Sequence, residues 1–298
     1  MSETLLPRIE RFLGRSWEEK REILAWHVRR MLKRAWLGVF FVRRLEPGFW
    51  WLAWNDAICE SVLDGTFEAS ERLFVQRFLK RGMTVLDIGA YYGLYTLTAR
   101  TRIGQQGRIV AFEPSPFQRK RLKWNLRINR CHNVEVESQA VGGIKGEQTL
   151  FSIRGESAGY ASLRQPEVGG SVDPIVVPVT TLDAYLQQRD ISAVDFIKVD
   201  VEGGELDVFR GAIELLQRRP RPVILCELED IRTKAWGYRA KDCVVLLESI
   251  GYRWFVTRSG GSLASLTEIS EVTDRNFVAV PEERIGEIKE MVEDGTRS

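Results

Sequence analysis

The chain has 298 residues, 44% of them hydrophobic, with four cysteines and a formal net charge of +2. That is enough apolar material for one large packed domain with appendages, and the near-neutral total gives no reason to expect nucleic acid as the main partner. Cys59, Cys131, Cys226 and Cys243 lie far apart, without the paired spacing of a zinc site or a redox motif, and are expected as free thiols in a reducing, cytoplasmic setting.

The start, "MSETLLPRIERF", has early acids and no apolar stretch of signal-peptide type. Residues 8–44 carry eleven Lys and Arg against four Glu. Apolar residues recur there at Leu24, Val28, Met31, Ala35, Val39 and Val42, a helical period with Arg29, Arg30, Lys33 and Arg34 mostly on other faces. The expectation is a basic N-terminal helical arm or cap over residues 1–60, closed by Pro47 and Gly48 and followed by the tryptophan-rich "FWWLAWNDAICE". Such an arm suits either a cap on the catalytic domain or peripheral contact with an anionic membrane. Its longest apolar run, "AWLGVFFV", falls well short of the ~20 residues of a spanning helix. A basic helix without an interleaved aromatic platform is no nucleic-acid motif.

Residues 61–298 are expected to form the main domain. Strands are predicted at 84–90, 108–114, 134–141, 195–201 and 222–228, with helices near 93–102, 116–129 and 204–218. Near-continuous apolar strands alternating with helices imply a parallel sheet covered on both faces. "EQTLFSI" and "PIVVPVT" are extra strands in an insertion at about 146–180 around "RGESAGYASL". A helix near 240–250 then precedes "YRWFVT" and "NFVAV", expected as an antiparallel pair at the sheet edge.

The chemistry is concentrated at the carboxyl ends of these strands. "TVLDIGAYYGLYTLTAR" has the outline of a nucleotide-binding turn, yet only Gly89 and Gly93 match the glycines of a dinucleotide fingerprint, and Asp87 would repel a pyrophosphate. A ligand with an ammonium, a sulfonium, a ribose diol and no phosphate reverses that argument, and S-adenosylmethionine is such a ligand. Glu113 ends the next strand, where an acid can accept both ribose hydroxyls. The small residues of "SQAVGG" would let an adenine lie against the backbone. In "IKVDVEGGE", alternation along a strand puts Lys198, Asp200 and Glu202 on one side. They read either as a polar site or as a structural ion pair. Asp200 is the first choice as general base or acceptor-orienting residue, with Glu202 second and Lys198 beside them. A divalent cation shared by Asp200 and Glu227 is conceivable but not favoured, because two carboxylates fall short of a hard-cation site.

The ordered set "LDIGAYYGLYT", "AFEPSPF", "NVEVESQAVGG", "VTTLDAYL", "DFIKVDVEGGELDVFRGA" and "ILCELE" resembles the FkbM-type S-adenosylmethionine-dependent methyltransferases over about residues 66–230. The resemblance implies a doubly wound Rossmann-like α/β fold, with a mostly parallel seven-stranded sheet and an antiparallel last strand. It implies S-adenosylmethionine as cofactor, held along Asp87, Gly89, Ala90, Tyr91, Gly93, Glu113, Pro114, Gln139, Ala140 and Asp200, with Tyr91 standing where the family often has Asn. It further implies methyl transfer to a hydroxyl of a sugar, glycan or polyketide-type product. Transfer to an amide or amine nitrogen, and a noncatalytic methyltransferase fold working at a membrane surface, are the alternatives.

Overall fold

The computed structural model describes residues 41–54, 56–153, 161–165, 172–266 and 275–293. The helical period expected before residue 41 lies outside the described residues. Strand β1 (Phe41–Leu45) turns at Pro47 and Gly48 into β2 (Phe49–Ala53), and the two pair antiparallel. The continuation of a helix to Val42 is thus corrected to a hairpin, with "PG" as its turn. Its inner side packs Leu45, Phe49, Trp51 and Ala53 against Tyr92, Leu97 and Leu122. Trp51 is 1% exposed, and its truncation to Ala would cost roughly 3–5 kcal/mol.

Helices α1 (Ala57–Asp64) and α2 (Ala69–Phe78) lead into the central sheet. Its first half is β3 (Thr84–Ile88), α3 (Leu94–Ile103), β4 (Arg108–Phe112), α4 (Pro116–Ile128) and β5 (Val134–Glu137). The strand expected at 134–141 is cut in two. Ala140–Val141 forms β6, which leaves the main sheet and joins β7 (Gly146–Ile153), β8 (Ala161–Ser162) and β9 (Val172–Thr180) in a separate four-stranded sheet. The two insertion strands expected from sequence are β7 and β9, paired antiparallel.

After α5 (Leu182–Gln188) the chain returns to the main sheet as β10 (Phe196–Val199). The helix expected at 204–218 is two, α6 (Glu205–Arg210) and α7 (Ile213–Gln217). They part at Gly211, where a Cβ would lie 2.2 Å from the Gly142 carbonyl oxygen. Then come β11 (Val223–Leu228), α8 (Asp230–Thr233), α9 (Ala240–Ser249), β12 (Tyr252–Arg258), β13 (Ser262–Ser265), β14 (Arg275–Pro281) and α10 (Ile285–Ile288).

The sheet order is β13-β12-β14-β11-β10-β3-β4-β5. Five strands, β5, β4, β3, β10 and β11, run parallel, and β14 is inserted antiparallel between β11 and β12. This is the doubly wound Rossmann-like plan. It has eight strands rather than seven among the described residues, because the Ser/Leu segment 262–265 adds β13 at the edge. Residues alternate between two cores: Leu86, Ile88, Ile197 and Val199 pack with α5, α6 and α9, while Val85 and Phe196 pack with α2 and α3. Burial on both faces is what the near-continuous apolar strands require. The order reverses between β3 and β10, the switch point at which such sheets open a crevice beyond their carboxyl ends. Among the described residues no helix is long and apolar enough to cross a membrane.

Candidate active site

A cavity of about 450 Å³ opens at that switch point, within the usual size of a small-molecule site. Asp87, Gly89, Ala90, Tyr91, Glu113, Pro114 and Ala140 line it, as do Lys198, Asp200 and Glu202. Gly93 and Gln139 do not. Gly93 is the cap residue before α3, and Gln139 sits half-buried in the link between β5 and β6.

The turn after β3 is built around Gly89. Its φ is +81°, and a Cβ there would lie 1.8 Å from the Asp200 carbonyl oxygen, so only glycine lets the two strand ends close on each other. The Gly89 and Ala90 N–H groups both donate to the Phe112 carbonyl at 3.0 Å, tying the turn to β4. Tyr91 also has positive φ, 49°, and in that conformation its N–H donates to Glu113 Oε2 at 2.8 Å. The Ser115 N–H donates to Glu113 Oε1 at 2.8 Å. Glu113 is thereby fixed by both oxygens. Each oxygen keeps a further lone pair, and the side chain lines the cavity. Burial pushes its carboxyl up to about 8, against the pull of the two N–H groups. Asp87, also buried, accepts from the Thr96 hydroxyl on α3 and is pushed up to about 6 by burial.

The other wall is more heavily charged. Strand geometry ends at Val199, shorter than the expected 195–201, but Lys198 and Asp200 do share a side: Lys198 Nζ lies 3.5 Å from Asp200 Oδ2. Lys198 is 2% exposed, donates to Asn276 Oδ1 at 2.9 Å and stands over the Tyr95 ring. Burial works against its charge, but Asp200 and Glu68 outweigh it and hold the ammonium above its ordinary value. Glu227 on β11 is pushed up by burial and by Asp200. Glu202 leaves the alternation: its φ is 58°, and it forms an ion pair with Arg232, which also holds Glu229. Glu205 is buried beneath this loop, accepting from the Val201 and Gly203 N–H groups at 3.2 and 3.1 Å, and burial pushes it up to about 7.

Several lining residues were beyond sequence reasoning. Glu68 precedes α2 and Asn276 lies on β14, yet the Asn276 amide donates to Glu68 Oε1 at 2.7 Å at the foot of the cavity. Trp236 also lines the cavity with a buried, unpartnered Nε1, and so does Trp51, from the tryptophan-rich segment that the sequence singles out. A local signal marks the strand-end acids, the Gly89 turn, Ala140 and the tryptophan-rich hairpin, and none marks Glu68, Asn276 or Trp236. Among the described residues no group of three or more His, Cys, Asp or Glu is placed to hold a metal, and Lys198 Nζ sits against Asp200 where a shared cation was conceivable. His132 is exposed, and all four cysteines are free thiols.

Residues 87–254 match the model of the methyltransferase FkbM domain. The AMB antimetabolite synthetase AmbE of Pseudomonas aeruginosa is 28% identical over 201 residues, which are 56% of this chain and 9% of AmbE. Methyltransferase 1 of Beauveria bassiana is 28% identical over 144 residues, 43% of this chain and 57% of that protein. The chain therefore spans less than two thirds of either relative. Among solved structures, the methyltransferase FkbM of Methylobacillus flagellatus is 15% identical, with a TM-score of 0.40 and coverage of 76% of this chain and 56% of that one. An O-methyltransferase of Bacillus cereus, solved in complex with SAH, is 16% identical, with a TM-score of 0.42 and coverage of 75% and 90%. The FkbM domain match takes in more than half of the chain, from the aspartate at the end of β3 to the middle of β12, and the chain belongs to the FkbM methyltransferase family.

Proposed function

We propose that this protein transfers the methyl group of S-adenosylmethionine to a hydroxyl of a small-molecule or glycan acceptor. One observation carries the reading: two buried carboxylates, Asp87 and Glu113, stand at the ends of neighbouring strands on a single cavity, and a third, Asp200, directly follows the strand across the switch point. The residues present fit the cofactor. Glu113 keeps acceptor capacity for a diol, Asp87 for an ammonium, and the unpartnered Trp236 and Trp51 N–H groups offer donors on the cavity wall. A pyrophosphate would meet two acids and no glycine-rich cradle.

When bound, the cofactor supplies an electrophilic methyl group on a sulfonium. The protein's own work is to align and to deprotonate. The Gly89 turn and the N–H-braced Glu113 present a rigid wall, so alignment requires little reorganisation. Asp200, 27% exposed in its side chain and facing the cavity, takes the acceptor proton, while Lys198 steadies the carboxylate without occupying both its oxygens. Glu227, held neutral by burial, keeps the floor from accumulating further negative charge. Mass spectrometry of product formed from labelled S-adenosylmethionine and hydroxylated acceptors tests the reading. Label on oxygen supports it, label on nitrogen replaces the acceptor class, and no transfer to any acceptor refutes it.

A further inference from the structure

Helix α4 has a second face that the cavity does not use. Its buried positions are Gln118, Leu122, Asn125 and Leu126, and its exposed ones are Pro116, Phe117, Lys120, Lys123, Trp124 and Arg127. The spacing places these on one outward stripe. The helix carries five Lys and Arg and no acid. Two of the five are used inward: Arg119 donates to the Glu113 and Pro114 carbonyls at 2.7 and 2.8 Å, and Arg121 pairs with Asp56 and lies against the Trp54, Tyr92 and Phe117 rings. Lys120, Lys123 and Arg127 enter none of the ion pairs among the described residues.

Between these cations stand two large aromatic side chains, Phe117 at 54% exposure and Trp124 at 40%. The hairpin extends the patch. Asn125 Oδ1 accepts from the Leu52 N–H at 2.8 Å and Asn129 Oδ1 from the Trp50 N–H at 2.7 Å, which docks β2 on α4 and leaves Trp50, Phe41 and Val42 about half exposed beside Arg43 and Arg44. A solvated helix face ordinarily mixes both signs of charge and shows few aromatics. Pro114 and Gln118, at the start of α4, line the cavity, so the patch borders its mouth.

We propose that the outer face of α4, together with the β1–β2 hairpin, rests on an anionic lipid bilayer. Lys120, Lys123 and Arg127 meet the phosphate headgroups, and Phe117, Trp124 and Trp50 sink to the headgroup–acyl boundary, where amphipathic aromatics settle. Charge complementarity selects an anionic partner, and the aromatic stripe selects a bilayer. A single-stranded nucleic acid would need its stacking platform inside a groove that tracks the backbone, whereas this stripe stands on the outer face of a helix. The proposal is independent of methyl transfer.

Cosedimentation of the full chain with vesicles of phosphatidylcholine alone, or mixed with phosphatidylserine, tests it. The mixed vesicles should pellet the protein, the neutral ones should not, and added salt should release it. Lys120→Gln/Lys123→Gln/Arg127→Gln should weaken partitioning by roughly 100-fold, at about tenfold or less per cation. Phe117→Ala/Trp124→Ala should weaken it several-fold while preserving the salt dependence. Lys145→Gln/Arg218→Gln/Lys241→Gln removes the same charge from exposed positions elsewhere and should bind as the unaltered chain does. Equal losses in the two triple variants, no loss in the α4 variant, no binding to mixed vesicles, or displacement from them by a single-stranded oligonucleotide would each overturn the assignment.

Discussion

The two walls of the cavity hold their carboxylates by different means. On the β3–β4 wall, Asp87 and Glu113 are buried and anchored by neutral donors: a threonine hydroxyl and two backbone N–H groups. On the β10–β11 wall, Asp200 and Glu202 face cations, Lys198 and Arg232, and Glu227 is crowded by its neighbours. Neutral anchoring fixes a carboxylate's position and leaves its further lone pairs to a ligand. The ion pair to Lys198 engages one Asp200 oxygen and leaves the other open to an acceptor. Under the proposed function, binding falls to the first wall and proton transfer to the second.

The sharpest way to break the comparison is at the joint between the walls. Gly89→Ala places a Cβ on the Asp200 carbonyl in a backbone conformation that alanine resists, and should destabilise the protein by more than ~2 kcal/mol in chemical denaturation. A neutral effect would mean that the strand ends do not meet as described. Asp200→Asn comes next: turnover should fall by ~10²-fold or more with cofactor affinity within a few-fold, because a positioned base is lost and no binding group. Unchanged turnover would remove Asp200 from the reaction.

Glu113→Gln tests the opposite wall. It should weaken S-adenosylmethionine binding by about 10- to 100-fold, the range for a hydrogen bond to a charged group. Its pH dependence follows from the raised carboxyl. The ionised form binds, so affinity in the unaltered protein should climb as pH rises toward about 8 and level off above it, and the variant should lose that slope. Stability runs the other way. The folded value, about 8, lies above the unfolded one near 4.5, so the contribution of Glu113 is fully present below 4.5 and is lost as pH rises through about 8. The melting temperature should therefore decline less across that window in Glu113→Gln than in the unaltered chain. The smallest effect is expected at Glu227→Gln, which mimics an acid that burial already keeps protonated, and turnover should stay within a few-fold.

Much of this site was legible because strand ends are local. The apolar runs of β3, β4 and β10 reveal where each strand stops, and Asp87, Glu113, Lys198 and Asp200 are what stand there. Alternation even put Lys198 and Asp200 on one side. It failed one residue pair later, because Glu202 turns to positive φ to meet Arg232. The contributions of Glu68 and Asn276 were invisible, since the bond that joins them spans 208 residues. At β1 a short apolar run fits either period, and pairing with Phe49–Ala53 makes it a strand. The break between β5 and β6 was hidden for the same reason, as Ala140 and Val141 find their partners in β9.

The central claim, that the Asp87–Glu113 wall is an S-adenosylmethionine site, is tested most directly by calorimetric titration of the purified protein with S-adenosylmethionine, with NAD as control. Micromolar-range binding of the first alone, weakened in Glu113→Gln, is the predicted result. No binding, equal binding of NAD, or an unaltered affinity in the variant would contradict it.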